Sequence, residues 1–344
     1  MSKEINEFYW IKTLSILLLF FVHSTLFFAQ NPIMEYVNYF MLSNFFFISG
    51  FLSFVSQKRG LKRFWKNRLV RVYIPFLLFL TVYRFVDWFI SNFTNEFSYM
   101  SVTQAIDYIY VAALLSTFKQ NIFPINELSH LWFVPVLFAF MLLIMTMERA
   151  TNRLSVQICV ILSLIILNGF LFRSNAPIAL SERFMLFLIN FSAGFWIAKT
   201  GKIDKIQNPW ILPLGVILYL LLFLTPEWLG LELYWIRHSV LALLATITTI
   251  SFFARIRSFS WVKLIASSAL MVYLSEPLVR YGVGKIFGTD FYSTTLHVVA
   301  LPMFLRIVIS LIVGISVQFL FLTVTKKFSH YLNKANGIRE KITL

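Results

Sequence analysis

The 344-residue chain has one cysteine, 12 glycines, 10 prolines and 13% charged residues. A lone thiol, Cys159, set in an apolar run excludes an intrachain disulfide and a multi-cysteine metal site. The five histidines are scattered without the spacing of a zinc site, so no metal is expected. The charged share is about half the roughly 25% of a soluble domain, which excludes a water-soluble globular chain. No GxSxG elbow and no GxxxxGK[ST] loop is present, so neither a Ser-His-Asp hydrolase nor ATP-driven chemistry is expected. No internal repeat and no low-complexity linker divides the chain, which reads as a single domain, 1–344.

What remains is apolar: 59% of residues are hydrophobic and 18% aromatic. Apolar runs fall at 11–29, 36–55, 70–90, 130–148, 155–172, 184–199, 210–225, 237–254, 264–282 and 301–325. Each is near the ~20 residues that cross a bilayer as a helix. The pattern predicts an all-α polytopic membrane bundle of about ten transmembrane helices. After Phe27 and Phe28 no small-x-small cleavage site follows, so the first run is expected to be an uncleaved helix. Residues 91–129 are polar and aromatic, and 102–118 are expected to form a helix lying along the interface, a cap over an outward cavity.

A net charge of +15 on a soluble chain would suggest nucleic acid. Here the cations sit between the apolar runs: Lys58 to Arg71, Arg149 and Arg153, Lys199 to Lys205, Arg255 to Lys263, and the tail from Lys326. Alternation of ten spans places all of these on the side of the N-terminus, which the positive-inside rule makes the cytoplasm. Both termini are therefore expected to be cytoplasmic in a multi-pass cell-membrane protein whose surroundings are lipid, with no nucleic acid partner.

Ionisable side chains inside hydrocarbon are costly, and each is a functional candidate. Lys12 and His23 share the first run, Arg84 and Asp87 the third; Glu127 and His130 stand at the entrance to the fourth. Arg183, Arg237 and His238 mark helix ends, Glu276 and Arg280 lie in the ninth run, and Arg306 in the tenth. Nearly all but Lys12 fall in the outer half, where they could surround one polar cavity. Alternatively, Arg84 with Asp87 and Glu276 with Arg280 neutralise each other along one helix. At about 100° and 1.5 Å per residue, Lys12 and His23 lie on one helix face, about 20° and ~16 Å apart. Lys12 at the cytoplasmic end could meet an anionic cofactor, and a neutral His23 could take a proton from a hydroxyl. A snorkelling lysine and a hydrogen-bonded helix histidine are the plainer alternative.

Seven cations lie between Lys58 and Arg71, more than orientation needs. Arginine forks bind phosphate bidentately, so the run could hold a phosphorylated cofactor, or it could be a topology signal touching anionic headgroups. Pro277 follows Glu276 inside an apolar run and leaves the carbonyl of Tyr273 without its helical donor. The segment Ser129-His130-Leu131-Trp132-Phe133 sets an imidazole and an indole at the outer interface, where aromatic belts occur and where ring faces also stack on sugars.

Together these residues resemble acyltransferase family 3, integral membrane proteins that include polysaccharide O-acetyltransferases and fucose-4-O-acetylase-like proteins. The resemblance covers essentially the whole chain. Its most specific element is Lys12-x10-His23, the lysine variant of the family's [KR]-x10-H. Phe46-Phe47-Ile48-Ser49-Gly50-Phe51 is similar to FF-x-SG-[FY], Arg68-Leu69-Val70-Arg71 with Pro75 to R-x-x-R and its proline, and His130-Leu131-Trp132-Phe133 to HLWF. The chain departs from the pattern at Tyr9, where an acid is frequent, and at Glu276, where many members carry histidine after YL-x.

The resemblance implies a ten-helix enzyme that takes acyl-CoA, usually acetyl-CoA, from the cytoplasm as co-substrate, with no permanently bound cofactor. It acylates a hydroxyl of a surface or lipid-linked glycan, alongside glycan synthase or export machinery. It implies His23 as catalytic base or acyl acceptor, with His130 and Glu276 as further catalytic candidates, and Lys12, Arg68 and Arg71 as holders of the CoA. Transfer from a thioester to an alcohol needs one base and donors for the oxyanion, which a histidine with cationic neighbours supplies. The rival readings are a permease or glycan exporter lined by the same charges, and an inactive partner of a glycan synthase.

Overall fold

The computed structural model describes residues 5–22, 32–58, 60–93, 133–173, 182–224, 231–287 and 296–342. Among them the chain is helical, without strands. In order come α1 (Asn6–Val22), α2 (Pro32–Gln57), α3 (Leu61–Arg68), a π-helical turn (Leu69–Tyr73) and α4 (Ile74–Phe93). There follow α5 (Phe133–Ala150), α6 (Leu154–Arg173), α7 (Glu182–Thr200), the single turn α8 (Ile203–Ile206) and α9 (Ile211–Leu224). The series closes with α10 (Leu231–Phe253), α11 (Ser260–Phe287) and α12 (Leu296–Ile342).

A helix meets each of the ten apolar runs. Among the described residues, four contain stretches long and apolar enough to cross a membrane: Phe40–Gln57, Phe133–Ala150, Ser260–Arg280 and Met303–Lys327. The expected interfacial helix at 102–118 lies outside the described residues, as does the end of the first run beyond Val22.

Burial is distributed as a lipid solvent requires. Leu214, Ile217 and Leu221 on α9, Ile166 and Phe170 on α6, and Ile312 and Phe319 on α12 are all exposed. The interior meanwhile holds Ser15, Asn44, Asn190, Ser192 and Ser268. Lipid tails are as apolar as leucine, so close backbone approach and interhelical hydrogen bonds drive helix association there. Asn44 Nδ2 donates to Ser15 Oγ at 2.9 Å, tying α2 to α1, and Thr13 Oγ1 donates to the Val262 carbonyl at 3.0 Å, tying α1 to α11.

The α2–α7 crossing shows why the FF-x-SG segment carries glycine. A Cβ on Gly50 would stand 2.0 Å from the Phe191 carbonyl oxygen, and one on Gly194 the same distance from that of Phe47. Phe46 stacks on Phe187 at 4.9 Å and Phe54 meets Phe195 at 5.2 Å. The constant offset of those pairs means that the two helices run in the same direction. Gly50→Ala is therefore expected to lower the thermal midpoint in detergent, by the equivalent of about 1–3 kcal/mol of overpacking. Gly282→Ala, with nothing within 4 Å of its added methyl, should leave it unchanged. Equal midpoints for both variants would contradict this account of the crossing.

The segments that the charge pattern puts on one side of the membrane meet at one end of the bundle. Gln207 Nε2 donates to Glu7 Oε1, Ser258 Oγ to Asn6 Oδ1 at 2.9 Å, and Ser251 Oγ to the Asn208 carbonyl at 2.9 Å. Trp10 stacks on Phe253 at 5.2 Å. Lys199 pairs with Glu148 at 2.8 Å, and Gln157, buried, donates to Glu148 and accepts from Trp196.

Candidate active site

The inner cation of the site follows from the amphipathy of α3. At about 100° per residue, Leu61, Phe64, Trp65 and Arg68 share one side of this eight-residue helix, and Lys62, Arg63, Lys66 and Asn67 the other. Phe64 is buried and Arg68 half-buried, while the opposite four are exposed. Arg68 is thus the one cation of α3 turned inward. Its guanidinium sits over the Phe64 ring, 5.5 Å from the centroid, and its Nη2 donates to Ser53 Oγ at 3.4 Å. Ser53 in turn donates to the Ser49 carbonyl at 2.6 Å, so the FF-x-SG segment supports the arginine through one hydroxyl.

Arg68 and Arg71 flank the start of the π-helical turn that joins α3 to α4. Such turns insert one residue into a helix and are frequent at functional sites. Wider winding there turns Arg71 away from Arg68, and Arg71 is exposed. Burial first, and then the charge of Arg71, pushes the pKa of Arg68 down to about 10. Folding disfavours its charged form at every pH below about 10, and that cost is relieved only as the pH rises through this value. An anion bound beside it relieves the same cost near neutrality.

Lys12, half-buried on α1, lies within reach of the Arg68 charge. Of the three residues expected to hold CoA, Lys12 and Arg68 are half-buried and Arg71 is exposed. Among the described residues no carboxylate pairs with Lys12, Arg68 or Arg71, and arginine forks are suited to phosphate oxygens.

Glu276 lies elsewhere. Thr13 fixes α1 against Val262, and Glu276 follows fourteen residues later along α11, ~21 Å farther into the bundle. Its carboxylate forms a buried ion pair with Arg306 of α12, the two side chains being 1% and 0% exposed. The sequence suggested Arg280, one turn away, as its partner; the structure supplies Arg306 from the next helix. Near Pro277, Tyr83 of α4 donates its hydroxyl to the Leu274 carbonyl at 2.8 Å, one residue beyond the carbonyl that the proline frees. Arg237 donates to the Leu222 carbonyl at 3.0 Å, satisfying an acceptor near the end of α9. His23 and His130 lie outside the described residues, as do the side chains of Arg84, Asp87 and Arg183.

Ser53 and Tyr83 are the site-supporting residues that sequence reasoning missed. The spacing of Ser53, one turn after Ser49, is the only linear trace of its role.

Helices with exposed apolar faces and a cluster of cations at one end are the features of a membrane protein. The family model described as an acyltransferase domain, that of acyltransferase family 3, matches residues 5–323, so the chain belongs to that family. The protein is therefore an acyltransferase of the membrane. No curated protein and no solved structure matches it.

Proposed function

We propose that this protein is a multi-pass cell-membrane O-acyltransferase that moves an acetyl or other short acyl group from cytoplasmic acyl-CoA to a hydroxyl of an extracytoplasmic or lipid-linked polysaccharide. The observation that carries the reading is the inward turn of Arg68 onto Ser53 and Phe64 at the basic end of a chain of this family. On this reading ten helices cross the bilayer with both termini in the cytoplasm, and Lys12, Arg68 and Arg71 hold the CoA phosphates. On the same reading His23, eleven residues after Lys12 in the first apolar run, takes the hydroxyl proton. The acyl carbon–sulfur bond breaks, a carbon–oxygen bond forms, and the proton passes by way of His23 to the CoA thiolate. Glu276 and His130 are the remaining catalytic candidates, and the glycan synthase or export machinery supplies the acceptor.

The test is acetyl-CoA binding to purified protein. Arg68→Ala with Arg71→Ala is expected to weaken it at least about a hundredfold, since two charge-assisted phosphate contacts are worth about 1.5–3 kcal/mol each. The amount of folded protein should not fall, because removing Arg68 also removes a buried charge next to Lys12. Unaltered affinity in the double variant would leave the loop as a topology signal.

A further inference from the structure

The basic run is divided between two faces of one helix. Arg68 looks inward, whereas Lys62, Arg63 and Lys66 form an exposed row on the opposite side of α3. Nothing in the proposed chemistry uses that row. Its position in the fold suggests what it meets: the helix continues through the π-turn into α4, where Ile74, Leu78, Val82 and Phe85 recur every three or four residues and are all exposed. In a membrane protein such a stripe lies against acyl chains. A row of cations at the end of an acyl-chain stripe stands at headgroup depth.

We infer that the outer face of α3 docks on anionic phospholipid headgroups, and that this docking holds Arg68 in its inward position. The partner is a lipid leaflet carrying negative charge. Charge complementarity selects it over neutral lipid, and the adjoining apolar stripe selects it over a soluble anion. Because α3 is a single helix of eight residues, an outer face held at the surface orients the inner face toward Ser53 and Phe64. Lipid charge and donor binding are thereby linked through one short helix. The second half of the inference rests on the acyl-CoA reading above, and the first half does not.

The experiment uses the full-length protein in nanodiscs of phosphatidylcholine with a rising share of phosphatidylglycerol. Two quantities are read: phosphatidylglycerol retained per protein by native mass spectrometry, and acetyl-CoA affinity. For the wild type both are expected to rise with the anionic share. The triple variant K62Q/R63Q/K66Q should lose retention by up to about fivefold per cation, each being worth about 1 kcal/mol near an anionic surface, and its acetyl-CoA affinity should be flat. The conservative pair K62R/K66R, which keeps the charge, should respond as the wild type does and guards against a folding defect in the triple variant. K326Q/K327Q, which removes exposed cations of α12, should also respond as the wild type does.

The inference is overturned if the triple variant keeps the wild-type retention and response, or if K326Q/K327Q abolishes them. It is also overturned if millimolar inorganic phosphate in neutral nanodiscs reproduces the effect, since the row would then read a soluble anion. A wild type that retains phosphatidylglycerol through the row yet binds no acetyl-CoA in any lipid overturns the acyl-CoA reading and leaves the docking surface standing.

Discussion

Cells producing the His23→Ala variant are expected to carry no more base-labile acetate on their envelope glycans than cells without the protein, at an unchanged protein level. The expectation rests on the chemistry of the step. A sugar hydroxyl is a weak nucleophile at neutral pH, and a positioned imidazole that removes its proton is worth about 10²–10⁴-fold. His23 is the histidine of the Lys12-x10-His23 pattern in a chain of this family. The histidine follows Lys12, the lysine proposed to hold the donor, in the same apolar run. Acetate equal to that of the wild type would remove His23 from the mechanism. Acetate lost together with the protein itself would show a structural role instead.

The largest stability effect is expected at Arg306. This guanidinium is fully buried and paired with Glu276 across the α11–α12 contact, where Gly314 also lets the backbone approach Val272. Desolvating two ions is costly, and their attraction offsets that cost only while both are present. Arg306→Met takes the guanidinium from the carboxylate and should destabilise the protein by about 3–5 kcal/mol. Adding Glu276→Gln to the same chain removes the remaining charge and should recover most of the loss. Recovery of the thermal midpoint with acyl transfer restored would make Glu276 a positioning residue. Recovery of the midpoint with transfer still absent would place the carboxylate in the chemistry. A double variant no more stable than the single one would contradict the ion-pair account.

The helices were legible in the sequence because a lipid solvent allows only a few solutions for apolar runs of this length, and a helix meets each run. The grouping of basic segments at one end was legible for a similar reason: Lys58 to Arg71, Lys199 to Lys205 and Arg255 to Lys263 are separated by even numbers of runs, so alternation alone brings them together. Partners between helices were not legible. Glu276 has Arg280 one turn away in sequence, and only the packing of α12 on α11 could supply Arg306. The same holds for Tyr83, whose hydroxyl reaches Leu274 from a helix far away in sequence. The basic run reads from sequence as a cluster but not as two faces, because the division between Arg68 and its neighbours depends on where α3 begins and on the π-turn that ends it. The glycines at 50 and 194 answer to a backbone crossing that exists only in three dimensions, although the first of them sits in a motif.

The most direct measurement follows labelled acetyl from acetyl-CoA in the presence of purified protein and a polysaccharide acceptor. An acyltransferase that uses Lys12, Arg68 and Arg71 to hold the donor transfers label to the glycan as a base-labile ester and releases one CoA thiol for each ester formed. Acceptor that crosses a vesicle membrane unesterified, with the acetyl-CoA intact, would contradict it and identify the protein as a carrier.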